Sequence, residues 1–253
     1  MRNIKLVLAY DGSGYAGWQR QLGQLSIQQL LEEAIVRLTR APVTLHGAGR
    51  TDAGVHAEGM VANFQTESAI PLSGLVKGLN SMLPESIRVL SAEKVANDFH
   101  ARYNATGKVY EYAFIATEIM PPCARLYAAQ VRAPFAGAAV RLCLPILVGT
   151  HDFSSFEAVG SRDLSITGGK GAVRTIFSAS LAEDGHVGQV YRLTISGDGF
   201  LRHMVRNIVG TLFAVGRGRL TPHDFQDILA ARDRSRAGAT APAKGLTLKT
   251  VLY

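Results

Sequence analysis

The chain has 253 residues, 47% of them hydrophobic, with a formal charge of +7 and a pI of about 9.6. That is enough apolar material for one large domain or two small ones, and no apolar run reaches the roughly 18–20 residues that span a bilayer. The first ten residues alternate polar and apolar side chains and then meet Asp11, a pattern unlike a secretory leader that points to the cytoplasm. Cys123 and Cys143 lack metal-type spacing and read as buried free thiols; the seven histidines are scattered, so nothing calls for a metal. Residues 1–105 carry 10 basic and 9 acidic side chains, whereas residues 106–253 carry 17 and 11. A basic second half fits a polyanionic partner such as RNA, against the plainer alternative of a solvated surface.

In chain order, residues 5–10 read as a strand that ends at Asp11-Gly12-Ser13-Gly14. Ser26 and Gln29 have capping-box spacing, and Ile27, Leu30, Leu31, Ala34, Ile35 and Leu38 follow at helical spacing. Strands are predicted over 43–48, 60–65 and 87–95, with a helix opened by Pro71 between the last two. The second half repeats these ingredients. Strands are predicted over 109–116, 173–181, 189–196 and 246–252, and helices over 137–148, 201–215 and from Thr221-Pro222. Pro145 falls late in the first of these helices and predicts its end or a kink. Residues 160–171 are Gly/Ser-rich and read as a mobile loop. The expected architecture is α+β. Two α/β halves, residues 1–105 and 106–253, carry mostly antiparallel sheets with helices on one side.

Four segments could carry chemistry. In Gly47 to His56, glycines flank Arg50 and Asp52, whose spacing puts both on one side of an extended segment. A nearby arginine would keep the carboxylate ionised, as a nucleophile or base requires. Alone, such a loop is also an ordinary turn in which Asp52 caps backbone N–H groups. Tyr10 to Gln21 gathers two tyrosines, the only tryptophan and Arg20, which suits stacking on unpaired bases; the alternative is that Trp18 anchors the core. Asp98 to Tyr103 leads into a strand on which Tyr110 and Tyr112 share a face, either to stack on a flipped base or as sheet aromatics. Arg202 and Arg206, one turn apart on the expected helix, could hold phosphate or reach a carboxylate.

Taken together, the segments YDGSGYAGWQRQ, GRTDAGVHA, DFHARYNATGKVYEY, GTHDFSSF, GFLRHMVRNIVGTL and KGLTLKTVLY resemble the tRNA pseudouridine synthase A family over nearly the whole chain. The resemblance implies two related halves whose sheets join, with a basic cleft between them. It implies that Asp52 is the catalytic carboxylate and Arg50 its neighbour in the motif. Tyr110 would be the tyrosine that packs on the target base, and Arg206 the basic partner of the aspartate. The implied substrate is uridine at three adjacent positions (38, 39 and 40) of the tRNA anticodon stem-loop, and the implied assembly is a homodimer. No organic cofactor is implied, because the isomerisation is redox-neutral. Sequence leaves open whether Asp52 adds to C1′ or takes the C2′ proton. Gly47 stands where family members commonly have cysteine, without expected catalytic consequence. Two other readings are a non-catalytic RNA-binding protein, and a nucleosidase that pairs Asp52 with Glu58 or Asp98.

Overall fold

The computed structural model describes residues 1–161, 170–184 and 189–253. Residues 162–169 of the expected mobile loop lie outside the described residues. The chain divides into two compact units, Met1–Thr106 with Thr247–Tyr253, and Gly107–Leu246. The closing strand groups with the first unit, where Thr247 and Leu248 lie parallel to His56 and Ala57. Local periodicity identifies such a strand and cannot say which sheet it joins.

The first unit contains β1 (Arg2–Tyr10), α1 (Ile27–Thr39), β2 (His46–Gly47), β3 (His56–Thr66), α2 (Leu72–Met82), β4 (Ile87–Val95) and β10 (Leu246–Leu252, in this unit from Thr247). Its strand order is β4-β1-β3-β10, antiparallel except for β3 and β10, with β2 on β3. Ile4, Leu6, Leu8 and Tyr10 alternate along β1 and are all buried. That is the two-residue period of a strand with one face on a core. Ile27, Leu31 and Ile35 of α1 and Leu75 and Leu79 of α2 are buried as well, and the two helices pack against each other. The expected capping box on α1 is half made: Ser26 accepts the Gln29 N–H at 3.3 Å, but the Gln29 amide turns away to Glu33. Gly17 and Trp18 offer their carbonyls to the N–H groups of Ile27 and Gln28 instead, which satisfies donors that a helix start leaves without intrahelical partners.

The second unit contains β5 (Gly107–Ala116), β6 (Ala129–Val131), α3 (Gly137–Leu147), β7 (Gly149–Asp152), β8 (Val173–Asp184), β9 (Gln189–Gly197), α4 (Met204–Gly216) and α5 (Pro222–Ala231). Its order is β5-β9-β8-β7, antiparallel throughout, with β6 parallel on the edge of β5. Short β6 and β7 were not legible in the sequence. Phe114 stacks on Tyr191 at 4.9 Å, and Phe135 and Phe213 meet the pair edge-on or tilted. Pro145 sits within α3, which ends two residues later. The α5 start carries a complete capping box between Thr221 and Asp224. Of the cysteines, Cys143 is buried and its thiol is pushed up to about 11 by that burial, whereas Cys123 is exposed. The expectation of burial therefore holds for one of the two.

Helix α4 begins at Met204, three residues later than its apolar pattern predicts, because His203 adopts φ 62° and breaks the helical path. Arg202 therefore lies before the helix and does not share a helical face with Arg206. Inside α4, Gly210 packs directly against the 239–241 segment, where an added Cβ would sit 1.7 Å from the Ala239 oxygen. Gly210→Ala would gain about 1 kcal/mol of helix propensity, yet backbone has to move to admit the methyl group. A net loss of about 2 kcal/mol is expected, seen as a Tm fall of roughly 4–8 °C in thermal unfolding; an unchanged or raised Tm would contradict this packing.

Candidate active site

The loop between β2 and β3 carries Asp52. Asp52 to Val55 form a turn closed by the Val55 N–H on the Asp52 carbonyl at 3.1 Å, and Gly54 at the third position has φ +77°. A positive φ there is what a type II turn demands, and glycine supplies it without steric cost. Asp52 is half-buried, while its neighbours Thr51 and Val55 are buried. The side chain is thus held at the surface by a backbone that cannot move freely.

What fixes that backbone is the segment after β1. The Trp18 N–H donates to the Thr51 carbonyl at 3.0 Å, and Tyr10 Oη and Thr51 Oγ1 share a buried hydrogen bond of 2.8 Å. The Gly12 N–H donates to His56 Nδ1 at 3.1 Å, and Asp11 Oδ1 lies 3.2 Å from the same nitrogen. The Asp11 N–H is held by the Ser86 carbonyl, and Tyr15 Oη by Ser86 Oγ. Two glycines permit the close approach. A Cβ on Gly12 would stand 2.0 Å from the Val55 oxygen, and one on Gly17 (φ +95°) 2.4 Å from the Thr51 oxygen. The β1–β3 register also slips between Leu8 and Tyr10, where the segment leaves the sheet. Such an irregularity redirects a chain at a sheet end.

Trp18 is 3% exposed and is a core anchor beneath this loop, so it does not stack on RNA. Its indole lies where a Cβ on Gly47 would come, 2.6 Å from the ring. The glycine at position 47 is therefore matched to the tryptophan in its present position. Arg50 is exposed, two positions before the half-buried Asp52. The turn begins at Asp52 itself, so Arg50 lies on the stretch that leads into it. Glu58, one candidate for a second acid, is ion-paired to Lys249, and Asp98 is exposed. Both carboxylates are exposed.

Asp52 and Arg50 belong to the first unit, and Tyr110 and Arg206 to the second. Tyr110 is 8% exposed and meets Phe200 edge-on at 5.1 Å. Tyr112, on the same face of β5, is fully buried; its hydroxyl donates to the Pro242 carbonyl at 2.7 Å, and burial drives its pKa far above the usual phenol range. Of the two tyrosines, Tyr112 is thus structural. Arg206 is half-buried, with Nε donating to the Ala241 carbonyl at 2.9 Å, next to the anchor of Tyr112. The second unit therefore holds an aromatic pair and an arginine on one frame.

Sequence reading missed the clamp of Tyr10, Gly12, Gly17 and His56 around Thr51 to Val55. The glycine spacing in Tyr10 to Trp18 was its signal, taken there only as loop composition. Gly17→Ala is expected to loosen the clamp. Amide exchange at Trp18 and Val55 would then quicken roughly tenfold or more, while Gly14→Ala, where an added Cβ meets nothing within 4 Å, would leave it unchanged. Equal exchange in both variants would deny the clamp its role.

The chain matches the family model described as tRNA pseudouridine synthase over residues 6–104 and 145–253. It is 48% identical over 256 residues to "tRNA pseudouridine synthase A 1" of Desulfotalea psychrophila, which covers 100% of both chains. It is 43% identical over 253 residues to "tRNA pseudouridine synthase A" of Clostridium kluyveri, and equally to that of Geobacter sulfurreducens, each again covering 100% of both chains. With family match and full-length relatives in agreement, this chain belongs to the tRNA pseudouridine synthase family and is an isomerase that makes pseudouridine in tRNA.

Proposed function

We propose that the chain acts on uridines of the tRNA anticodon stem-loop with Asp52 as its catalytic nucleophile. Tyr110, Arg50 and Arg206 would bind the substrate, and the enzyme would work as a cytoplasmic homodimer. The observation that carries this reading is the GRTDAGVH loop, in which a half-buried aspartate is held on a clamped turn. A family member that had lost the reaction would have no need of that device.

The chemistry asks for little else. The bond from uracil N1 to ribose C1′ breaks, the base turns, and a C5–C1′ bond forms. C5 gives up its proton and N1 gains one, so atoms and electrons balance without oxidant or reductant. Positive character develops at C1′ in such glycosyl transfer, and a carboxylate is its natural stabiliser or nucleophile. The departing uracil is stabilised by hydrogen bonds and is itself the group that returns, so one carboxylate suffices. The target nucleotide must leave its stack at a cost of a few kcal/mol. The Tyr110–Phe200 pair is an apolar surface that offsets part of it. Arg206, fixed by the Ala241 carbonyl at Nε, brings a positive charge that suits an anion.

No described helix is long and apolar enough to cross a membrane. Residues 106–253, with 17 basic side chains against 11 acidic, suit a phosphate backbone.

The test uses unmodified tRNA transcripts labelled with tritium at uridine C5, since C5 loses its hydrogen when the base rejoins. Wild-type protein is expected to release tritium to water, and Asp52→Ala none above background. Carbodiimide mapping of the product would then locate the sites in the anticodon stem-loop. Release by Asp52→Ala at the wild-type rate would remove Asp52 from its role. Binding without release by either protein would replace the enzyme with an RNA-binding protein.

A further inference from the structure

We propose that His46, His100 and Tyr103, with Arg102 beside them, form a stacking platform for an unpaired base of the RNA substrate, separate from the pocket that takes the target uridine. This role presupposes an RNA substrate, as argued above. The rings run in series: His46 and His100 have centroids 4.8 Å apart, and His100 and Tyr103 4.3 Å, tilted by 39° and 34°. The Arg102 guanidinium lies 6.0 Å from the Tyr103 centroid. Tyr103 is 77% exposed, and His46 and Arg102 are also exposed. A tyrosine that keeps most of its surface in water contributes little to the core. It leaves ring area for a second partner.

The loop beneath is far better fixed than a surface decoration needs. Buried Asn3 donates to the carbonyls of Ala96 and Phe99 at 3.0 and 2.8 Å, and Asn63 donates to Asn3 Oδ1 at 3.0 Å. Asn63 Oδ1 accepts the Ala101 N–H at 2.8 Å, and the Tyr253 hydroxyl donates to the Ala101 carbonyl at 2.7 Å. The Asn104 side chain accepts the His100 N–H at 2.7 Å. Partners therefore come from β1, β3 and the C-terminus at once, all within the first unit. The Arg102 N–H donates to His100 Nδ1 at 3.1 Å, so the neutral ring keeps its proton on Nε2. Burial first, then His46 and Arg102, hold the His100 pKa below the ordinary imidazole range, which favours the neutral, stackable ring.

The chemistry selects single-stranded RNA. Bases stack on aromatic faces whatever their identity, and such platforms work where bases are unpaired. Among the described residues Arg102 pairs with no carboxylate, so its charge is available to a phosphate next to the stacked base. His46 opens β2, six positions before Asp52. The platform and the aspartate loop therefore share a strand, which suits a nucleotide that neighbours the target.

Binding of an unmodified anticodon stem-loop, a single-stranded oligoribonucleotide and a fully paired RNA duplex would be measured with full-length wild type, Tyr103→Ala and Tyr103→Trp. Tyr103→Ala is expected to weaken the first two by roughly tenfold, the scale of one lost base–aromatic stack. Tyr103→Trp should restore them to within about twofold, and the duplex should bind all three proteins alike. Unchanged stem-loop affinity in Tyr103→Ala would overturn the platform. So would equal weakening on the duplex, or a loss that tryptophan does not rescue. Tritium release by wild type is read in parallel. Release with unchanged Tyr103→Ala affinity defeats the platform alone. Selective loss of single-strand affinity without any release supports the platform and defeats the enzymatic reading.

Discussion

The first unit depends on the close backbone contact between the Gly12–Trp18 segment and the Thr51–Val55 turn. Glycosyl transfer needs a carboxylate held in one place, and a surface loop left to itself gives no such hold. Here the hold comes from backbone rather than from side-chain packing. Two glycine Cα atoms lie so near the turn that any Cβ would collide with its carbonyls. The Trp18 N–H, the Tyr10 hydroxyl and His56 then fasten the turn from three sides. The same segment feeds the start of α1 and pairs with Ser86, so the aspartate's position is coupled to the core of the unit.

That arrangement explains residues that composition makes look like RNA contacts. Trp18 and Tyr10 are aromatic and stand in a glycine-rich loop beside Arg20, yet both are buried and support the turn from below. Exposed aromatic character lies elsewhere, at Tyr103, whose ring is in water while its backbone neighbourhood is pinned by Asn3 and Asn63. Position in a loop did not separate the two cases; the partners of the surrounding backbone do. Tyr110 and Tyr112 repeat the contrast two residues apart. One tyrosine meets Phe200 edge-on, and the other spends its hydroxyl on Pro242 inside the unit.

Much of the fold was legible in the sequence, for local reasons. The spacing of Ile27, Leu31 and Ile35, the alternation of Ile4, Leu6 and Leu8, and the Thr221-Pro222 helix start all act over a few residues. The misses are long-range or conformational. Thr247–Tyr253 joins a strand almost 200 positions earlier in the chain. His203 takes a left-handed conformation that an apolar pattern running from Leu201 hides. The Gln29 half of the capping box was lost to Glu33, one turn on. At the site, Asp52 stood out through its flanking glycines. The turn that Gly54 closes after Asp52 was not read from the same glycines. The His46–His100 contact joins residues 54 positions apart, which no local pattern encodes.

The central claim is that a clamped turn sets the carboxylate where C1′ of the target nucleotide will be. Asp52→Glu tests it most directly, since it keeps the charge and the turn and moves the carboxylate by one methylene. Single-turnover conversion of an unmodified tRNA transcript, with enzyme in excess, would be compared between wild type and Asp52→Glu, beside the affinity of each for the transcript. A misplacement of about 1 Å can cost on the order of 100-fold in rate. The rate is therefore expected to fall by roughly that factor while affinity stays within about twofold. Conversion by Asp52→Glu at the wild-type rate would contradict the claim, because a carboxylate free to find its own position would need no clamp.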